Sequence, residues 1–385
     1  LHSTLPVQQE HGPADVTDVA DATDPQETRR EEGGGRRGRL AALDGLRLLA
    51  ALMVVAYHYV AFGSGVWERP SAAVFPTAFL PASYGWLGVQ LFFLISGFVI
   101  CMSCWGRTVG QFAVSRVTRL FPAYWFGVVA VALAVHLWPA TGETLRPRDA
   151  AVNLTMLQSP LGVDSVDGVY WTLWVEMRFY LLFALIAWRG LTHRRAVGFC
   201  VLWGCAGAVA AAVRNPVLDQ VLMPDDCWFF IAGVAFHLMH RFRPNLVHWL
   251  IVGCCFLVAQ HTLLDAQARA EGHMGQHVPH WPTTVLLTLF FLAMTAVSLG
   301  WTRRLGLRGL TAAGALTYPL YLLHERLGWL VIRHCGGLVP RYVLLPALIA
   351  GMLQAAWLVH RYVERPLAGA LGRGLRRAAA EIRSG

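Results

Sequence analysis

LAALDGLRLLAALMVVAYHYV, residues 40–60, decides the fold. It is apolar enough for a membrane-spanning helix, and its 21 residues would rise ~31 Å, the depth of a ~30 Å hydrocarbon core. Yet it carries Asp44, Arg47 and His58. An ionisable group in a spanning helix is expensive, so by default it faces the protein interior and marks a site. Eleven residues separate Arg47 from His58. At ~100° and ~1.5 Å per residue they share a face and stand ~16 Å apart along the axis. The segment predicts an arginine at the inner rim and an imidazole deep inside, lining a single cavity. Asp44 pairs with Arg47 or caps the helix start.

The rest of the chain fits this reading. Of 385 residues, 56% are hydrophobic and 14% charged, well below the roughly 25% charged of soluble domains. Ten apolar segments are predicted to span, at roughly 44–62, 85–105, 121–138, 170–188, 195–213, 227–240, 246–263, 282–300, 311–332 and 342–362, the sixth being short. The expectation is an all-α polytopic membrane protein. The net charge is +9, and all 32 basic residues are arginine. They are scattered between apolar runs rather than gathered on one soluble face, which excludes nucleic-acid binding. Twenty fall on alternate loops and both ends, against seven on the opposite loops, so both termini are expected in the cytoplasm. Residues 1–39 are polar and read as a disordered cytoplasmic arm with no cleavable signal peptide. Residues 40–366 form the membrane domain and 367–385 a basic tail.

Depth counting brings further groups to the level of His58. Glu176 in the fourth segment and His324 in the ninth both fall ~20 Å from the inner face. Proton transfer away from bulk water needs such groups together, although each can also be a structural strut. At the inner rim, SRVTRLFPAYW places Arg116 and Arg119 at i, i+3 just before the third segment. They serve positive-inside topology or, with Arg47, a phosphate clamp.

Other features read as structural. The eight cysteines lie mostly in apolar runs, and Cys101-x-x-Cys104 has no redox setting. His273, His277 and His280 suggest a metal only if helical, and Gly272, Gly275 and Pro279 argue for a solvated loop. The NLT sequon at Asn153 is read as coincidental, and Asp225 and Asp226 as solvated.

Six motifs in order resemble the acyltransferase 3 family of integral-membrane O-acyltransferases, from Leu43 to Pro366. They are LDGLRLLAALMVVAYH with its R-x10-H, LFFLISGFVI, SRVTRLFPAYW, YWTLWVEMRFYLL, LTYPLYLLHE and VERPL. Thr172, Arg178 and Pro319 depart from the family pattern; Thr172 for Ser is a tolerated change, while Arg178 and Pro319 leave acceptor identity open. Some members carry a C-terminal soluble esterase-like domain, which is not expected here. The resemblance implies transfer of an acyl group, commonly acetyl, from acyl-CoA to a hydroxyl of a glycan, a lipid-linked sugar or a small molecule such as a macrolide. It implies a multi-pass protein of the cytoplasmic (inner) membrane with no metal. In that reading Arg47, Arg116 and Arg119 hold acyl-CoA, His58 is the base and Glu176 assists it. Tyr318, Tyr321 and His324 hold the acceptor or the oxyanion. The rival reading from the residues alone is a proton-coupled transporter or flippase using His58, Glu176 and His324 as a relay.

Overall fold

The computed structural model describes residues 25–63, 65–138, 145–304 and 308–384. Residues 1–24 of the expected arm lie outside them. Helix is the only regular structure among the described residues. The long helices are α1 (Pro25–Ala56), α2 (Gly88–Cys104), α3 (Val109–Leu137), α4 (Trp171–Ala187), α5 (His193–Val213), α6 (Cys227–Phe242), α7 (Leu246–Met274), α8 (Trp281–Ser298), α9 (Arg308–Cys335), α10 (Arg341–Val359) and α11 (Arg365–Ser384). Nine helices among the described residues are long and apolar enough to cross a membrane. The expected ninth span is α9, 28 residues long. It falls short on composition because His324, Glu325 and Arg326 interrupt its middle.

α6 shows why a short segment belongs in the bundle. Every residue from Cys227 to Met239 is buried, which an all-round apolar helix requires. It packs on α2, α5, α7 and α8, while α1, α3 and α10 gather around α9. α2 touches both α1 and α6 and so joins the two groups. At the α2–α6 crossing, a Cβ on Gly97 would run into the Phe230 carbonyl, and one on Gly233 into the Leu94 carbonyl. Small residues let backbones approach this closely where lipid supplies no hydrophobic drive.

Two boundaries differ from expectation. α3 starts at Val109 under a capping box between Thr108 and Gln111, so Arg116 and Arg119 lie inside the helix rather than before it. α7 continues to Met274 and stops at Gly275, whose φ of +68° suits glycine. His273 is therefore helical and stacks on Phe62, while the exposed His277 pairs with Glu271 and His280 with Gln267. The three rings do not converge. Asn153 is fully buried, with its amide donating to Asp149 and Asp164 carbonyls and accepting from Val166 N, so the sequon offers no acceptor nitrogen. Cys101 and Cys104 are buried and unpaired.

Two π turns interrupt the long helices, at Tyr57–Ala61 and His360–Glu364. Such widened turns often occur at functional sites, and these hold His58 and Glu364. The end of α1 would leave carbonyls bare. Phe62 N donates to Tyr57 O, the Trp329 indole to His58 O at 3.0 Å and the Trp67 indole to Tyr59 O at 2.8 Å.

Gly97→Ala is expected to lower the stability of the detergent-solubilised protein by about 1–3 kcal/mol. Gly198→Ala, with nothing within 4 Å of the new Cβ, should be neutral or raise it by up to about 1 kcal/mol. Thermal unfolding of the two variants compares them. Equal melting temperatures would contradict the α2–α6 crossing.

Candidate active site

Three cavities adjoin one another through the junction of α1, α2, α3, α4 and α9. The first, about 550 Å³, is a mouth lined by Arg47, Ser115, Arg116, Arg119 and Glu364. The second, about 120 Å³, shares Arg47, Val99, Arg116 and Arg119 with the mouth and adds Ser96, Glu176, Tyr180 and Tyr318. The third, about 570 Å³, contains His58 and Glu325. The second and third share only Val89 and Tyr321. Phe92 packs edge-on against Tyr321 at 5.7 Å. Arg47 and His58 therefore do not line one cavity, as expected, but two that meet at a constriction.

The arginine end is partly balanced in charge. Arg119 is paired with Glu364, which also accepts from the His360 ring at 2.8 Å. Arg47 is 3.5 Å from Asp44. Arg116 makes no ion pair among the described residues, and its Nε is buried without a partner. Glu176 accepts a hydrogen bond from Ser96.

At the other end a carbonyl fixes the chemistry. His58 Nδ1 is 2.9 Å from Val54 O. A carbonyl only accepts, so in the neutral ring Nδ1 carries the proton and Nε2 the lone pair. By the same reasoning His324 Nδ1 donates to Tyr321 O at 2.8 Å. Its Nε2, 3.2 Å from His58 Nδ1, then faces that N–H as a second acceptor. His58 Nε2 lies 3.9 Å from Glu325 Oε1. Glu325 Oε2 accepts from Val169 N at 2.7 Å. Asp167, fully buried in the segment before α4, accepts from Val169 N and Arg326 N. Burial, with Glu325 beside it, holds the Asp167 carboxyl well above the usual carboxylate range. Two carboxyls this close do not both ionise. The arrangement presents a lone pair that can take a proton, with a carboxylate at hand to stabilise the imidazolium.

The structure thus brings His58 and His324 together, and the carboxylate beside His58 is Glu325. Glu176 stands against α2 in the arginine-side cavity, bonded to Ser96, and does not reach His58. Glu325 takes that place. It was legible as an acid in an apolar segment, directly after His324. Tyr318 also lines the arginine-side cavity, donating to Leu120 O at 3.1 Å. Tyr321 stands at the constriction, its hydroxyl 2.9 Å from Thr172 Oγ1. His324 is fully buried and lines neither cavity. Arg178 also lines neither, and instead holds Gln220 through its carbonyl oxygens. Asp225 and Asp226 line the His58 cavity; Asp225 is exposed, as expected, and is paired to Arg269 at 3.3 Å.

The family model described as an acyltransferase domain matches residues 40–361. Acyltransferase MdmB of Streptomyces mycarofaciens is 28% identical over 384 residues, covering 87% of this chain and 93% of that protein. Exopolysaccharide production protein ExoZ of Rhizobium meliloti is 29% identical, covering 74% and 89%. Peptidoglycan O-acetyltransferase OatA of Listeria monocytogenes is 28% identical over a shorter stretch, covering 38% and 24%. No solved structure matches the chain. These likenesses decide between transferase and transporter: the chain belongs to the acyltransferase 3 family and is a multi-pass membrane O-acyltransferase.

Proposed function

We propose that the protein moves an acyl group, acetyl being the smallest fit, from acyl-CoA at the arginine mouth to a hydroxyl held in the His58 cavity. The observation that carries this reading is the run of three adjoining cavities from the arginines to His58. The phosphates of CoA are anionic and suit Arg116, which makes no ion pair among the described residues, together with Arg47 and Arg119. The narrow space of about 120 Å³ between the mouth and the His58 cavity is the route proposed for the slender, unbranched pantetheine arm. The thioester then lies at Val89 and Tyr321. The acceptor hydroxyl gives its proton to His58 Nε2 as its oxygen attacks the thioester carbonyl. The C–S bond breaks, and the thiolate takes the proton to leave as CoA. Glu325 stabilises the imidazolium between these two steps, and the Tyr321 hydroxyl, which rests on Thr172 Oγ1, turns its proton to the oxyanion. Glu176 orders the donor cavity through Ser96. The arginine mouth faces the cytoplasm, where acyl-CoA is, with both termini on that side and the protein in the cytoplasmic membrane. The acceptor class proposed is a sugar or other polyhydroxylated molecule.

Purified protein with labelled acetyl-CoA tests the reading. His58→Ala should bind CoA normally and lose turnover by roughly 10²–10⁴-fold. Turnover at the wild-type rate would refute the assignment. Glu325→Gln should lower kcat by about 10–100-fold with little change in the Kd for CoA, since only the charged intermediate loses a partner. Glu176→Gln should spare kcat more than Glu325→Gln does, and the reverse order would restore Glu176 to the catalytic position. Arg116→Ala should weaken CoA binding by roughly 10–100-fold, the worth of about 1.5–3 kcal/mol for a charge-assisted hydrogen bond. It should leave dephosphorylated pantetheine thioesters unaffected. Equal loss with both donors would remove the phosphate contact.

A further inference from the structure

The arginine mouth holds one cation to which the reaction above gives no part. Arg47, Arg116, Arg119 and Arg365 all line it. Arg47 is paired with Asp44 at 3.5 Å, and Arg119 with Glu364. Arg116 and Arg365 make no ion pair among the described residues. These two differ in depth. Arg47, Arg116 and Arg119 line both the mouth and the narrow cavity, whereas Arg365 lines the mouth alone. Arg365 is exposed, so a ligand in the mouth can reach it. It opens α11, and Ala368, three residues on, lines the mouth beside it. Residues three apart share a helix face, so the first turn of α11 forms one wall of the mouth, kept open by the small side chain of Ala368. Two contacts hold that wall against α3, which carries Arg116 and Arg119. One is the Arg119–Glu364 pair directly before α11, and the other is Gly372, where a Cβ would come within 3.4 Å of the Thr118 side chain.

We infer that Arg365 is a specificity-determining residue that reads the 3′-phosphate on the ribose of acyl-CoA, apart from the arginines that meet its diphosphate. CoA carries phosphate at two places along its length: a diphosphate where the pantetheine arm ends, and a monoester on the ribose beyond it. With the arm in the narrow cavity, the diphosphate emerges at the junction with the mouth, among Arg47, Arg116 and Arg119. The ribose and its monoester then lie further out, beside the α11 wall. A phosphate monoester brings close to two negative charges and three acceptor oxygens at neutral pH, which suit a guanidinium fork. Glu364, the neighbour of Arg365, is taken up by Arg119 and by the His360 ring at 2.8 Å, so it does not hold Arg365 back. A donor without the monoester forfeits this contact alone. The enzyme therefore prefers CoA thioesters to their 3′-dephospho counterparts.

This inference rests on the transfer reading above, and the test separates the two. Calorimetric titration of the purified protein in zwitterionic detergent, with CoA and with 3′-dephospho-CoA, needs no acceptor. Wild type should bind CoA roughly 10–100-fold more tightly than the dephospho form. Arg365→Gln should weaken CoA binding by that factor and leave the Kd for 3′-dephospho-CoA unchanged. Arg365→Lys keeps the charge and should retain part of the preference. Arg116→Ala should weaken both ligands, because both carry the diphosphate. Arg361→Gln, at an exposed position that lines none of the three cavities, should change neither. Equal wild-type Kd values for the two ligands, or an Arg365→Gln loss of the same size with both, overturns the 3′-phosphate contact while leaving the transferase intact. An Arg365→Gln effect seen only in nanodiscs of anionic phospholipid gives the arginine to lipid headgroups and overturns it as well. If wild type binds neither ligand, the donor assignment falls, and the contact with it.

Discussion

Hydrocarbon offers a polar group no partner, so every hydrogen-bonding group in a spanning helix must be met from inside the protein. That constraint organises this molecule around the end of α1. The π turn at Tyr57–Ala61 exposes carbonyls that two indoles satisfy, Trp329 from α9 and Trp67 from the following loop. The Tyr59 hydroxyl completes the lock on the His324 carbonyl at 2.7 Å. Gly328 makes room for it, since a Cβ there would overlap the Tyr59 ring. The bonds that stop α1 from being unsatisfied thus also fix how α1 and α9 face each other. His58, His324 and Glu325 inherit their geometry from that docking.

The same constraint selects a tautomer. Val54 O and Tyr321 O, as acceptors, hold the protons of both neutral rings on Nδ1. The lone pair of His58 is thereby turned towards Glu325 and the larger cavity instead of into the helix. In the proposed reaction, a base aimed by a backbone carbonyl needs no dedicated orienting carboxylate, which leaves Glu325 for the charged state of the ring. Asp167 and Glu325 lie buried side by side, and burial raises the Asp167 carboxyl above the usual range, so the pair favours a single negative charge.

The long apolar runs and the arginines between them made the helical bundle legible, and R-x10-H gave the axis that runs through the cavities. What the sequence could not show was azimuth between helices. Depth counting put Glu176 level with His58, but depth says nothing about which way α4 is rotated, and Glu176 meets Ser96 on α2 instead. Glu325 was overlooked because it follows a histidine that already drew attention, although an acid inside an apolar segment was signal enough. The extent of α3 was written in the Thr108-x-x-Gln111 capping box. The π turns were not legible, because a single extra residue per turn leaves no mark on composition.

The two ends of the cavity run differ in a way that bears on the order of events. The arginine mouth is partly neutralised by Asp44 and Glu364, with Arg116 and Arg365 in no ion pair among the described residues. A ligand with several negative charges must compete with Glu364 for Arg119. If the phosphates of acyl-CoA displace that carboxylate, α11, which begins directly after the π turn holding Glu364, feels the change at its first residue. The Val89–Tyr321 constriction stands between this end and His58, and Tyr321 is tied to Thr172 on α4. Arrival of the donor can therefore act on the constriction only through helices that also line the narrow cavity, α2, α4 and α9. In the proposed reaction the slender donor arm must reach that constriction before an acceptor hydroxyl on the far side has anything to attack. In that reaction a broad cavity at His58 costs little specificity for the donor, because the donor arm must first pass the smaller cavity of about 120 Å³.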